Sequence, residues 1–571
     1  MPICSLGRGI ILRPTFQPWS CMARILVIQL GRLGDVIQTT PLLRELMAQN
    51  SSGSVDVLVF DSLREIVAGL GLGNVHAISE SSIPIGLRQL DKSIEQCRVR
   101  LEPMPSEARE ALRGLVLPSY DRIVNCTYSP LGAFVAHHTQ SKRVIGPRIT
   151  AEGEVLFRHP AQIYLCARAN FRDQNWFNLV DLWRASGQPS GTPSRDSRSL
   201  VPIAPELPFA IPRGRLVALN PGSSDSVRRW PPADFALLAE RLASHGLVPA
   251  LVGAHSDRET CAEVQARSSV KIANFCGQTS VPELALFLTH ADLLVSNDTG
   301  AIHIAAAAGC RVLALFGATA FFTETAPWSE GHIILQGPLG SDAVLLHPQL
   351  VLAAALHCLG LIDEMALRNE IAQHRASGWE TFYLAPDADP LGGLAYRPLH
   401  HHNFSAEQVF TLELRHLFAR FFCENAGTAR TRNPESRLER SSVDSRIVQD
   451  PEYGPDITRF VNALESMAEA AARCRVLCAR PTQRDAAEIA LLSSSLVTAM
   501  EELKNCCERY GMVKPVVHFL DWSCRMMEPM DPAATFHAHE TAYRLALNLL
   551  RDANARAEAQ LEGAVLASRP A

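Results

Sequence analysis

The chain has 571 residues, too many for one ordinary domain and enough for two nucleotide-type folds with a further module. Its 47% hydrophobic content sustains sizeable cores, and a formal net charge of −5 argues against the strongly basic surface of a nucleic-acid binder. The fifteen cysteines show no zinc-type pairing of close doublets and read as reduced, mostly buried thiols of a cytoplasmic protein.

The first twenty-one residues carry Pro2, Pro14 and Pro18, which interrupt any helix, and they make a poor signal peptide. Met22 stands directly before the first strand-like run, so residues 1–21 read as a leader ahead of a misassigned start. Strand Ile25–Leu30 then runs into the turn Gly31-Arg32-Leu33-Gly34-Asp35 and a helix Val36–Gln49. Strand Val55–Phe60, helix Leu63–Gly69, strand Val75–Ile78 and strand Arg122–Cys126 follow, and Gln140–Ile145 stops at the breaker Gly146-Pro147. Such alternation predicts a parallel sheet covered by helices on both faces.

The proline-rich stretch Pro202–Arg213 lacks periodicity and reads as a linker, after which the pattern restarts. The expected elements are strand Leu216–Asn220, helix Ala233–Ser244, strand Val248–Val252, helix Arg258–Ala266, strand Leu293–Ser296, helix Ala301–Ala308 and strand Val312–Phe316. They make a second doubly wound domain. Helix Gln349–Leu359 follows, with Glu380–Leu384 and Leu391–Tyr396 as short strands or an irregular cap. Asn425–Pro455 has a linker composition, and the amphipathic stretches Ile457–Leu477, Asp485–Tyr510 and Ala534–Ala567 predict a hairpin or three-helix module. Cys474, Cys478, Cys506 and Cys507 fall on those helices without a companion histidine at ligand spacing, which favours packed thiols over a metal site. No apolar run approaches the roughly 20 residues of a membrane-spanning helix.

Two of the turns carry phosphate-binding chemistry. The Gly31–Asp35 turn and Ser296-Asn297-Asp298-Thr299-Gly300 each lead from a buried strand into a helix N-terminus, where free N–H groups and the helix dipole favour an anion. Together with Asn220-Pro221-Gly222-Ser223-Ser224, Arg228-Arg229-Trp230-Pro231, Phe275-Cys276-Gly277-Gln278-Thr279-Ser280, the run from Ser296 to Gly309 and Leu315-Phe316-Gly317-Ala318-Thr319, these motifs resemble the family 9 glycosyltransferases, the bacterial heptosyltransferases. The resemblance spans about Met22 to Leu359.

What it implies is an α/β chain of GT-B fold, two facing Rossmann-like doubly wound domains with a C-terminal α-helical module. The boundaries expected are residues 22–205 for the acceptor domain, 206–360 for the nucleotide-sugar domain, 361–424 for an irregular cap, 425–455 for a linker and 456–571 for the helical module. The implied reaction is inverting, metal-independent transfer of a heptose from ADP-heptose to a lipopolysaccharide inner-core sugar, with no cofactor beyond the nucleotide sugar. A glycolipid or protein acceptor and peripheral contact with the cytoplasmic face of the inner membrane go with it. Heptosylation of a protein docked by the helical module, self-association through those helices and a non-catalytic scaffold are the alternatives.

Residue by residue, Asp35 is the candidate general base, or else a helix cap. Gly31 and Gly34 allow close backbone approach, while Thr39 and Thr40 bond acceptor or donor oxygens or back-bond within their helix. The family usually has a histidine before these threonines, where this chain has Gln38. On the donor side, Asp298, Thr299, Gly300 and His303 form the turn that the family uses for the pyrophosphate, with Asp298 capping the helix or orienting a sugar hydroxyl. Ser223, Ser224 and Arg229 contribute to the same cradle. Arg228 stands where the family commonly has a lysine and keeps the charge that neutralises the leaving diphosphate, the alternative being a solvated basic loop. Asp257, at a strand end, is the candidate for the ribose.

Overall fold

The computed structural model describes nearly all of residues 23–83, most of 110–187, all of 200–374, the strands at 380–386 and 394–398, four positions within 415–419, and the helices at 453–479, 485–507, 513–525 and 532–567. The expected leader and nearly all of the expected linker, up to Tyr453, lie outside the described residues.

The first sheet has the order β3-β2-β1-β4-β5, with β1 Arg24–Ile28, β2 Ser54–Phe60, β3 Val75–Ile78, β4 Arg122–Asn125 and β5 Val144–Ile145, all parallel. Strand residues alternate between two separate cores, Ile25 and Val27 facing one and Leu26 and Ile28 the other, as a strand covered on both faces requires. A two-stranded hairpin, β6 Arg148–Ile149 with β7 Val155–Leu156, lies beyond β5 in the chain.

The second sheet runs β10-β9-β8-β11-β12-β13-β14-β15. Strands β8 Leu216–Asn220, β9 Val248–Leu251, β10 Ala273–Asn274, β11 Leu293–Asn297, β12 Val312–Ala318 and β13 Ile333–Leu339 are parallel. β14 Glu380–Pro386 and β15 Leu394–Pro398 extend it in antiparallel fashion. Of the two forms expected for this stretch, its described residues have the strands, β14 and β15, preceded by a helix, Glu364–His374. The stretch Pro202–Arg213 has no regular structure, yet it packs on this domain: Phe209 stacks on Phe275 with ring centroids 4.2 Å apart.

Both sheets reverse strand order beside their first strand, at β1/β4 and at β8/β11, where an open α/β sheet offers a crevice at its carboxyl end. The two crevices face each other, with the helix Leu33–Gln49 of the first domain against the helix Gly300–Ala307 of the second.

The C-terminal helices number four among the described residues, Tyr453–Ala479, Asp485–Cys507, Lys514–Arg525 and Pro532–Ala567, one more than expected. They do not form a detached module. Phe460, Leu464, Met467, Ala471 and Cys474 on the first, spaced by fours and threes, meet Tyr543, Ala546, Leu550 and Ala553 on the last in an antiparallel seam, flanked by the pairs Arg551–Glu465 and Arg475–Glu540. That seam continues into the core on one face of the first sheet, with Phe418 wedged edge-on between Tyr164 and Phe519 at centroid separations of 5.0 and 5.1 Å. Cys474 is buried in the seam, and the side chains of Cys506 and Cys507 lie outside the described residues.

Candidate active site

On the first-domain side, the helix begins at Leu33, three residues before the expected start, so Asp35 sits in its first turn. Its Oδ2 accepts the Arg32 N–H at 2.8 Å, and Gly31 lets that carboxylate fold back: a Cβ on Gly31 would stand 2.7 Å from the same oxygen. Asp35 is thus a helix cap and a cleft carboxylate at once. Burial raises its proton affinity, opposed by the Arg32 amide and by the charges of Arg32 and Arg168. Of the two roles open to Thr39 and Thr40 in the sequence, the structure has the back-bonding one, in place of an acceptor-side contact. Both are buried, Thr39 Oγ1 donating to the Asp35 carbonyl at 2.7 Å and accepting from Gln29, Thr40 Oγ1 donating to the Ile37 carbonyl at 2.7 Å and accepting from Leu200 N–H. They hold the helix and the incoming chain, and their hydroxyls are spent. Gln38 bonds the Gly34 carbonyl at 3.3 Å.

On the second-domain side, the two loops at the switch point are knitted by asparagines. Asn220 donates to Ser296 Oγ at 3.1 Å and to Thr299 Oγ1 at 2.9 Å, while Asn297 donates to the Pro221 carbonyl at 2.9 Å and accepts the Trp230 N–H at 2.9 Å. Thr299 is the N-cap of the following helix and takes the Ala301 N–H at 3.3 Å. His303, one turn in, is buried and has its Nδ1 without a partner; burial pushes it down to about 3, so the ring is neutral. The rim of that ring meets the first domain, since a Cβ on Gly34 would lie 3.1 Å from His303 Cδ2.

Asp298 does not cap the helix. It turns to Arg228, whose Nη1 donates at 3.3 Å, and to Thr325, whose hydroxyl donates at 3.2 Å. Burial outweighs these partners and pushes its carboxyl up to about 6. Arg228 is about one-third exposed and also donates to Thr319 Oγ1 at 3.1 Å, so its guanidinium is held at the cleft by both loops. Arg229 turns the other way: Nε and Nη2 clamp the Ser223 carbonyl at 3.0 and 2.6 Å. It braces the loop, in place of the expected phosphate contact. Ser223 is buried and Ser224 exposed. Asp257 packs against Gly222 and bonds the Ala254 N–H at 2.9 Å, capping its own turn beside the end of β8. Trp230 is buried and donates to the Leu346 carbonyl at 2.9 Å, a packing role.

Sequence reasoning missed the ion cluster that joins the two sides. Glu324 takes Arg172 in a two-pronged bond, Nε at 3.0 Å and Nη2 at 2.7 Å, with Arg168 Nε 3.4 Å away. Burial works to raise the Glu324 carboxyl, but the two arginines outweigh it and hold it below its ordinary value. Asn178 donates to the Ala326 carbonyl at 3.0 Å and Trp328 Nε1 to Asp181 at 3.0 Å. The stretch Asn175–Asp181 therefore serves the domain interface. The available signal was one charged residue, Glu324, inside the otherwise uncharged run Ala318–Trp328.

Residues 199–345 match the profile of glycosyltransferase family 9 (heptosyltransferase). Among curated proteins the chain is similar to lipooligosaccharide heptosyltransferase 2 of Campylobacter jejuni, 32% identical over 130 residues that cover 22% of this chain and 40% of that protein. It is also similar to lipopolysaccharide heptosyltransferase 1 of Pseudomonas aeruginosa, 26% identical over 324 residues, 56% of this chain and 84% of that one. With the first of these relatives the match thus spans about two-fifths of their length. Among solved structures, Escherichia coli ADP-heptose lps heptosyltransferase II aligns with 59% of this chain and 98% of its own at 18% identity and a TM-score of 0.38.

Proposed function

We propose, with residues 199–345 belonging to glycosyltransferase family 9, that the chain transfers a heptose from ADP-heptose to an inner-core sugar of lipopolysaccharide in the cleft between its two doubly wound domains. The observation that carries this reading is the meeting of the two helix N-termini, Gly34 against His303, which puts an acidic first turn opposite an anion-favouring one.

In this reading the pyrophosphate lies at the N-terminus of the helix Gly300–Ala307, with the backbone N–H groups there, the exposed Ser224 and the open face of Arg228 as its partners. Charge developing on the leaving diphosphate is met by Arg228, which the Asp298 carboxylate and Thr319 hold in place. Asp35 takes the proton of the acceptor hydroxyl; its raised proton affinity suits a base that must hold that proton during transfer. One base on the acceptor side and one cationic site on the donor side make a single displacement, which inverts the anomeric centre. Among the described residues no helix is long and apolar enough to cross a membrane, so a glycolipid acceptor is reached from the membrane surface.

The test is calorimetric titration with ADP, UDP and GDP, followed by transfer assays with ADP-heptose. Selective ADP binding that weakens in Thr299→Ala and Arg228→Ala, with transfer abolished but ADP binding kept in Asp35→Asn, is the expected result. Preference for UDP or GDP overturns the donor assignment.

A further inference from the structure

The interdomain contact is anchored at one buried carboxylate. Glu324 lies in the second domain directly after β12, yet its partners Arg168 and Arg172 come from the first domain, after the helix Pro160–Ala167. Arg172 further covers the Phe321 ring at 4.4 Å, and the next residue but one, Ala326, receives Asn178. The residue beside Glu324 is Thr325, which holds Asp298, and Asp298 in turn holds Arg228. Arg168 also lies within electrostatic range of Asp35. A short helical turn, Phe322–Thr325, thus touches the first domain with one side chain and the phosphate-side carboxylate with the next.

Surface ion pairs rarely matter much, but this one is different in kind. Glu324 is 5% exposed and its arginine bond is two-pronged, so losing one partner leaves a buried charge without its counterpart. A side chain so fixed sets the distance between elements from both domains.

We propose that Glu324 is a positioning residue that sets the spacing of the reaction cleft: by binding Arg168 and Arg172 it holds the donor-side pair Asp298–Arg228 at a fixed distance from the acceptor-side turn bearing Asp35. This rests on the reading of the cleft as a transferase site. Glu324 touches neither substrate; it acts through the arginines and through the turn it shares with Thr325. Because Thr299 is held by Asn220, and Arg228 by Thr319 and Asp298, all within the second domain, the donor site moves as a unit when Glu324 is lost, and donor binding and catalysis respond differently.

The test compares Glu324→Gln, Arg172→Gln and the double variant in the full chain. The expected result for Glu324→Gln is a fall in kcat on the order of 10²-fold, the cost of a misplacement of about an ångström, with ADP affinity in calorimetry changed less than about threefold. The double variant is expected to be no worse than the more affected single one. Hydrogen exchange read by mass spectrometry supplies a readout without turnover: protection is expected to fall together in residues 160–168 and 322–328. A parallel loss of ADP affinity and kcat, additive losses in the double variant, or exchange changes confined to 322–328 would overturn the proposal. If the wild-type chain transfers no heptose, the proposed function fails, and the exchange result alone decides whether Glu324 ties the domains.

Discussion

Gly34 is the residue on which the contact between the two helix N-termini turns, and its replacement by alanine has a sign that the structure can predict. Within a helix, Gly→Ala normally stabilises by about 0.5–1 kcal/mol through reduced backbone freedom. Here the new Cβ would stand 3.1 Å from His303 Cδ2, a few tenths of an ångström inside ordinary contact with the ring edge, and at an ordinary 3.6 Å from Nε2. The ring has little room to withdraw, since His303 is 5% exposed on a helix buried against the second sheet. Overpacking of this kind costs about 1–3 kcal/mol, so Gly34→Ala is expected to destabilise by roughly 0–2 kcal/mol in the native background. In a His303→Ala background the clash is gone and the same substitution is expected to stabilise by about 0.5–1 kcal/mol. Equilibrium urea unfolding of the four proteins closes the cycle, and the coupling between the sites should exceed about 1 kcal/mol. Stabilisation by Gly34→Ala with His303 intact would refute the claim that these two turns are in contact.

Asp298 provides a pH test. Its carboxyl is raised in the fold to about 6 from 3.8, so between these values the folded chain binds more protons than the unfolded one and stability falls as pH rises. Asp298→Asn removes that dependence, and thermal unfolding across pH 4 to 7 should show the wild type losing on the order of 2 kcal/mol relative to the variant. The two arginines of one loop should separate: Arg229→Ala breaks the clamp on the Ser223 carbonyl and lowers stability by about 1.5–3 kcal/mol, whereas Arg228→Ala lowers ADP affinity and, by removing the cation beside the buried Asp298, raises that carboxyl's proton affinity further. Urea unfolding paired with calorimetry reads both. Truncation before Tyr453 strips the helix Lys514–Arg525 from the helix Pro160–Ala167, and the expected outcome is insoluble protein or loss of cooperative unfolding, measured by yield and dye binding to exposed apolar surface.

Strands were the easiest elements to read in the sequence, because a parallel strand buried on both faces is a continuous apolar run closed by a glycine or asparagine turn. Leu216–Asn220, buried throughout, coincides with the expected limits, and the half-buried edge strand Val75–Ile78 does so as well. The helix Pro160–Ala167 escaped for the complementary reason. Every residue in it is buried and only Gln162 is strongly polar, so it shows no polar face that would make a 3.6-residue period visible. At the site, the two glycine turns were legible because their chemistry is local. The hydroxyls of Thr39 and Thr40 were not: the sequence leaves open whether a threonine in the second helical turn faces a ligand or its own backbone, and the Asp35 and Ile37 carbonyls, with the donors Gln29 and Leu200, decide for the backbone. Arg229 and Arg228 are adjacent and alike in composition, and only the fold separates the brace from the open cation. The pairs Arg172–Glu324 and Asp181–Trp328 join residues about 150 apart, a relation that no local pattern encodes.

The two ways in which this chain is held together differ in chemistry, and the difference bears on where function resides. The C-terminal helices meet the first domain through an apolar seam in which Phe418, Phe519, Leu464 and Leu550 share a core with β1, and such a seam cannot open without exposing that core to water. Near the candidate site, the domains meet through Ile37 and Val180, which are buried in the second domain's apolar core, and through Glu324 with its arginines, Asn178 with a carbonyl, Trp328 with Asp181, and a glycine against a histidine edge, of which the polar contacts keep a defined partner and direction. Polar contacts fix geometry more narrowly than apolar ones and exchange with water at small net cost. A helical module built only to dock an acceptor protein would show the reverse arrangement, a polar and separable junction with the first domain. The seam instead makes the helices part of the first domain's fold, so an acceptor role for them has to be sought on their outward faces and cannot be tested by removing them.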